Sequence, residues 1–132
     1  YKVLQLRQQV FTVEQNCNYL DIDNKDLNAY HIMAWDKDIL VAYVRLLAPN
    51  VAFEEMSIGR VLTNINYRKR KIGIELMREA IRTCILLYGR GNIKIGAQLY
   101  LKKFYESFGF KQVSDIYLED NIEHIKMILI NP

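Results

Sequence analysis

The densest group of chemistry-bearing residues lies between Ser57 and Met77, in the stretch SIGRVLTNINYRKRKIGIELM. Arg68, Lys69, Arg70 and Lys71 are four successive cations, and Gly73 follows two residues later. Before them, Ile58, Val61, Leu62 and Thr63 form a β-favouring run. After them, Ile74, Leu76, Met77, Ala80, Ile81, Cys84, Ile85 and Leu87 recur at helical spacing. A strand, a basic turn, a glycine and a helix start together make an anion site. Unpaired amide N–H groups and the positive end of the helix dipole point at one spot. Four cations suit an anion with several charges, such as a pyrophosphate carrying a further phosphate. The same residues also fit a solvated loop, since a glycine-rich phosphate loop shows more than one Gly. Gly59, inside the strand, marks either a bulge or a close approach of backbone or ligand.

Other chemistries find little support. Cys17 and Cys84 have no metal-type spacing and read as free thiols in a reducing compartment. The net charge is +3, and much of the excess sits in residues 68–71. That favours a local anion site over a nucleic-acid surface, so no nucleic-acid partner is expected. No apolar run reaches membrane-spanning length and no signal-peptide pattern is present, so a cytoplasmic protein without a membrane partner is expected. No metal is expected either. With 132 residues, 51% of them hydrophobic, a single domain over 1–132 around one core is expected. The chain opens on Tyr1 already inside a helical pattern, so an N-terminal segment is expected to precede it.

The elements that must position these residues follow from periodicity. Val3, Leu4, Leu6, Val10, Phe11 and Val13 predict an amphipathic helix over residues 1–15. Residues 16–28 are turn-rich, with one helical turn after Asp23. Tyr30–Trp35 and Ile39–Leu47 read as a hairpin. A loop covers 49–55, and then come the central strand and a helix from about Arg70 to Tyr88, ended by Gly89 and Gly91. Residues 92–97 read as a strand. Tyr100–Phe108 reads as a helix with Leu101, Phe104, Tyr105 and Phe108 on one face. Phe110–Val113 and His124–Ile130 read as strands, with a loop over 116–123. Early and late hairpins around one strand–helix–strand crossover predict a mixed sheet with helices on both faces.

This order, the turn YRKRKIG at 67–73 and the segment FYESFGF at 104–110 resemble the GNAT N-acetyltransferases. LRQQVFTVEQNCNY at 6–19, IGRV at 58–61, AQLYLKKFYESFGF at 97–110 and YLEDNIEHIKM at 117–127 are similar to the ElaA-like branch. The resemblance covers nearly the whole chain, lacking the family's first strand, which would precede Tyr1. It implies an α/β (α+β mixed) GNAT-type fold: a central mixed, mostly antiparallel sheet, helices on both faces and a V-shaped splay between the central strands. It also implies acetyl-CoA as cosubstrate and a small-molecule or peptide amine as acceptor. Homodimers are common in such families.

The resemblance further assigns residues. Arg68 and Gly73 occupy the first and last positions of the family's pyrophosphate turn. Lys69 and Lys71 stand where Gly is frequent, and their amides can serve if their φ values are negative. The cofactor-binding set is then Arg68, Lys69, Arg70, Lys71, Ile72, Gly73 and Ile74. The main chain of Val61, Leu62 and Thr63 would bond the pantetheine arm by strand addition, and Gln98 would contact it too. Tyr105 matches the family's signature tyrosine, next to the CoA sulfur, as general acid for the leaving thiolate. Phe104 and Phe108 look more like pure core. For the general base, Glu14, Glu119, Asp120, His31 and His124 are candidates beside a water chain, with Glu14 and Glu119 carried forward. Arg7, Arg45 and Arg60 either bind an acceptor carboxylate or pair with Glu14, Glu119 and Asp120. The competing class is a CoA-binding sensor or interaction module that keeps the fold with little turnover.

Overall fold

The computed structural model describes residues 1–132. A seven-stranded open sheet has the order β1–β2–β3–β4–β7–β5, and β6 also pairs with β7. The strands are β1 (Tyr30–Asp36), β2 (Ile39–Leu47), β3 (Met56–Thr63), β4 (Ile93–Gln98), β5 (Lys111–Gln112), β6 (Tyr117–Glu119) and β7 (Ile122–Leu129). All pairings are antiparallel except β3 with β4. That pair is joined by the helix α2 (Ile72–Tyr88), which is the expected crossover.

Burial divides between the two faces of the sheet. The larger cluster joins α2, through Leu76, Met77, Ala80 and Cys84, to sheet residues such as Val44, Ile58, Ile95 and Met127. A smaller cluster packs Leu6, Val10 and Phe11 of the N-terminal helix on Leu40, Tyr43 and Leu62. The single core expected from length is therefore two, because a sheet with helices on both faces separates its apolar contacts. The N-terminal helix begins as α1 (Lys2–Arg7) and widens to a π-helix over Gln8–Glu14. Bonds from Gln15 N to Val10 O (3.2 Å) and from Cys17 N to Thr12 O (3.0 Å) carry the wide turn to its end.

Three local differences from the sequence reading have physical reasons. The 116–123 stretch is not all loop: β6 forms a hairpin with β7. Asp120 and Asn121 both take positive φ, 50° and 63°, as a two-residue type I′ turn needs. The long helix starts at Ile72 rather than Arg70, because Lys71 is left-handed at φ 60°. The expected 100–108 helix is a 3-10 turn over Leu99–Leu101 followed by α3 (Lys102–Glu106), closed by Gly109 at φ 101°.

The strand pairing around Gly59 makes the opening. β3 and β4 pair only at Met56–Ile93 and Ser57–Lys94, then diverge. The edge of β3 beyond Ser57 thus has no strand partner on that side. On the other side, the β2–β3 register slips between the Tyr43–Leu62 and Arg45–Gly59 pairs. The bulge expected at Gly59 is there, but the left-handed residue is Arg60, at φ 53°. A β-carbon at Gly59 would meet no atom within 4 Å, so packing does not require glycine there.

Candidate active site

The splay opens into a cleft of about 660 Å³. Its walls come from the π-helix and its C-cap (Val10, Phe11, Glu14, then Gln15), β3 (Ile58–Thr63), β4 (Ile95, Gly96, Gln98), α3 (Phe104, Tyr105) and the β6–β7 hairpin (Glu119, Asp120, Ile122, His124). Gly73, at the start of α2, lines the same cleft. One opening therefore joins the helix N-terminus to Tyr105.

At the helix start, the first bond of the ladder runs from Glu75 N to Lys71 O, 3.3 Å, and no side chain caps the end. The amides of Ile72, Gly73 and Ile74 precede that ladder. Lys69 and Lys71 have φ of 67° and 60°. The condition of negative φ is met by neither lysine. Both adopt the left-handed geometry that glycine takes freely, at a cost of about 1 kcal/mol or more each. The turn keeps a glycine-like shape without glycine.

The side chains of the turn do not act alike. Arg68 lines the cleft, but its guanidinium holds Glu14 through two bonds, 2.7 and 3.1 Å, and donates twice to the Thr63 carbonyl, 3.2 and 3.1 Å. Arg70 lies over the Tyr67 ring, 4.9 Å from its centroid. Lys69, Arg70, Lys71, Ile72 and Ile74 do not line the cleft, whereas Val61, Leu62, Thr63, Arg68, Gly73, Gln98, Tyr105, Glu14 and Glu119 do. Gln98 pairs amide to amide with Gln15 across 3.2 Å, so the π-helix end bridges to the tip of β4.

Tyr105 is only 6% exposed and belongs to the larger core, while Phe104 and Phe108 are half-buried beside it. The expected order of burial is reversed, and Phe104 lines the cleft as well. The Tyr105 ring packs edge-on against Phe104 and Phe110. Burial, with Tyr100 nearby, pushes its phenol well above the usual tyrosine range. The hydroxyl stays protonated at neutral pH and finds no protein hydrogen-bond partner.

The candidate bases separate by place. His31 sits away from the cleft and bonds the Tyr43 hydroxyl and the Asp26 carbonyl. His124 is buried, lines the cleft and stacks on Tyr117. The expected partners of Arg7, Arg45 and Arg60 prove wrong. All three arginines are ion-paired, but to Asp21, Asp23 and Asp26. Arg7 is 1% exposed and Arg45 4%. Burial acts against the Asp26 charge, but hydrogen bonds from Arg7 and Arg45 outweigh it and hold that carboxyl near a pKa of about 2. This network pins the 16–28 loop so that Tyr19 and Leu20 reach the cleft wall. No periodicity announces it, because its six charges come from four separate segments. No group of three or more His, Cys, Asp or Glu is placed to hold a metal ion, and no helix is long and apolar enough to cross a membrane.

The parallel pair thus splays beside a crossover helix whose Gly73 lines the cleft. The family model described as "Acetyltransferase (GNAT) domain" matches residues 7–130. The chain belongs to that family. It is 45% identical to protein ElaA of Escherichia coli over 129 residues, covering 96% of this chain and 84% of ElaA. The solved structure of E. coli ElaA superposes with a TM-score of 0.90 at 44% identity, covering 97% of this chain and 87% of that one. An acyl-CoA N-acyltransferase of Pseudomonas aeruginosa superposes with a TM-score of 0.92 at 39% identity and the same two coverages.

Proposed function

We propose that this protein moves an acetyl group from acetyl-CoA to an amine by direct attack in a ternary complex. The observation that carries the reading is a single cleft running from Gly73, beside the open amides of α2, to the unpartnered Tyr105 hydroxyl. The CoA pyrophosphate fits at the first turn of α2, where amides and dipole favour an anion. Lys69 and Lys71 add point charges within reach of a 3′-phosphate. The pantetheine arm fits along the unpaired edge of β3 at Val61 and Leu62, opposite Gln98. The open position at Gly59 leaves room for it. Thr63 contributes less, because Arg68 already occupies its carbonyl.

The amine attacks the thioester carbon, and Tyr105 supplies the proton or hydrogen bond that the departing sulfur needs. A phenol kept protonated by burial suits that role and not the role of base. Arg68 reaches the pyrophosphate only by exchanging Glu14 for it. Glu14 is therefore a partner of Arg68 in the free protein rather than a free base.

Calorimetry with CoA and acetyl-CoA tests the binding half, and release of free thiol with an amine panel tests the transfer half. Absence of CoA binding overturns the whole reading. Binding without thiol release under any amine assigns the protein to the sensor class instead.

A further inference from the structure

One titratable group in the cleft, His124, is fixed in orientation by its neighbours. His124 Nδ1 lies 2.7 Å from the Ile122 carbonyl, so that nitrogen carries the proton and donates it. The ring stacks on Tyr117, with centroids 5.9 Å apart. The tautomer and ring plane are thus set, and in the neutral imidazole the lone pair lies on Nε2. That nitrogen is 3.5 Å from Glu119 Oε2, and both residues line the cleft. A lone pair beside a carboxylate is an arrangement of two acceptors waiting for a donor.

The cleft charges point the same way. Arg68 is engaged with Glu14, and Arg60 with Asp21 and Asp23. Glu119 and Asp120 have no basic side chain paired to them other than His124. The cleft therefore presents uncompensated negative charge, and its wall holds no free arginine to receive a carboxylate.

We propose that His124 Nε2 and the Glu119 carboxylate form the docking point for the acceptor's ammonium group, and that the acceptor is a primary amine that carries no carboxylate. The inference rests on the acyl-transfer reading above. His124 Nε2 takes one proton from the ammonium and passes it to solvent. The free amine then attacks the thioester carbon; the C–N bond forms and the C–S bond breaks. The departing sulfur takes the Tyr105 proton, and the second proton lost by nitrogen restores the phenol. Glu119 orients the ammonium and accepts a hydrogen bond from it.

The test uses His124→Asn, whose amide keeps a donor toward the Ile122 carbonyl while removing Nε2, and His124→Gln, which keeps more of the side-chain volume. Glu119→Gln tests the carboxylate. The probes are 1,5-diaminopentane, n-pentylamine and 5-aminopentanoate at saturating acetyl-CoA, read by thiol release, with CoA affinity by calorimetry. The expected result has three parts. Wild type prefers the diamine to the amino acid at least tenfold in kcat/KM. Either His124 variant loses about 100-fold or more in kcat/KM for the diamine, with CoA affinity within twofold. Glu119→Gln raises KM for the diamine and leaves kcat within threefold.

Equal or better use of 5-aminopentanoate overturns the proposal. So does a folded His124 variant that keeps kcat/KM within threefold, or one that loses CoA affinity in parallel. No use of any of the three amines by a wild type that binds CoA also overturns it. A wild type that binds no CoA instead removes the acyl-transfer reading beneath it.

Discussion

Two sets of positive charge in this molecule look alike in composition and differ in use. Arg7 and Arg45 are buried and Arg60 is partly so, and each holds two aspartates. Arg68–Lys71 lie in an exposed turn, where only Arg68 has a carboxylate partner. The first set is structural because its carboxylates arrive from one loop, Asp21, Asp23 and Asp26, that folds over it. The second is more available because a single carboxylate, Glu14, reaches it and the helix start behind it is uncapped. Pairing rather than count decides which arginines can meet a ligand. Arg60 shows the boundary: it lines the cleft, yet Asp21 lies 2.7 Å from its Nε.

That contrast can be broken at several points, beginning with the largest effect. Asp26→Ala takes one half-buried partner from each of the buried Arg7 and Arg45. Breaking a buried ion pair costs about 3–5 kcal/mol, so urea denaturation followed by circular dichroism should show a loss of that order. A loss under 1 kcal/mol would show the network to be loosely solvated.

The same carboxylate sets an acid limit. Its folded pKa is about 2, below the ordinary aspartate value near 4. Its contribution is therefore complete above about pH 4 and lost as pH falls from about 4 toward 2. Thermal melts of wild type should fall more steeply across that window than those of Asp26→Asn. Parallel slopes would remove Asp26 as the source.

On the cleft side, Tyr105→Phe should lower turnover at least tenfold, about 1.4 kcal/mol of barrier. CoA affinity should change little. Unchanged turnover in the thiol-release assay would remove the acid role.

The turn offers two smaller tests. Lys71→Gly relieves a left-handed residue and should stabilise by about 0.5–1 kcal/mol in thermal melts. CoA affinity should weaken slightly through the lost charge. Glu14→Gln removes the partner of Arg68. An exposed pair of this kind contributes about 0.2–1 kcal/mol, so CoA should bind up to about fivefold more tightly. Weaker binding would mean that Glu14 holds the turn in its binding shape rather than competing with the ligand.

The two charge sets also show how legible each part was. The basic turn stood out in the sequence because its residues are contiguous and followed by helical periodicity. The Arg–Asp network did not, because Arg7, Asp21–Asp26, Arg45 and Arg60 are far apart in sequence and meet only through the sheet. Tyr105 could be picked out by its motif, but its burial could not. A helical face shows which side is apolar, not how deep each position lies. Nor could the sequence show that the Ile122 carbonyl sets the tautomer of His124.

What the chain encodes locally is the succession of the main elements, the crossover and the bulge beside Gly59. These follow from periodicities of two and 3.6 and from turn chemistry, which act over a few residues. Only the tertiary arrangement decides that β3 and β4 part after two pairs, that Arg68 faces Glu14, and that three aspartates silence three arginines. Such outcomes depend on contacts between distant segments, where distance, burial and partner, rather than residue type, determine what a charge can do.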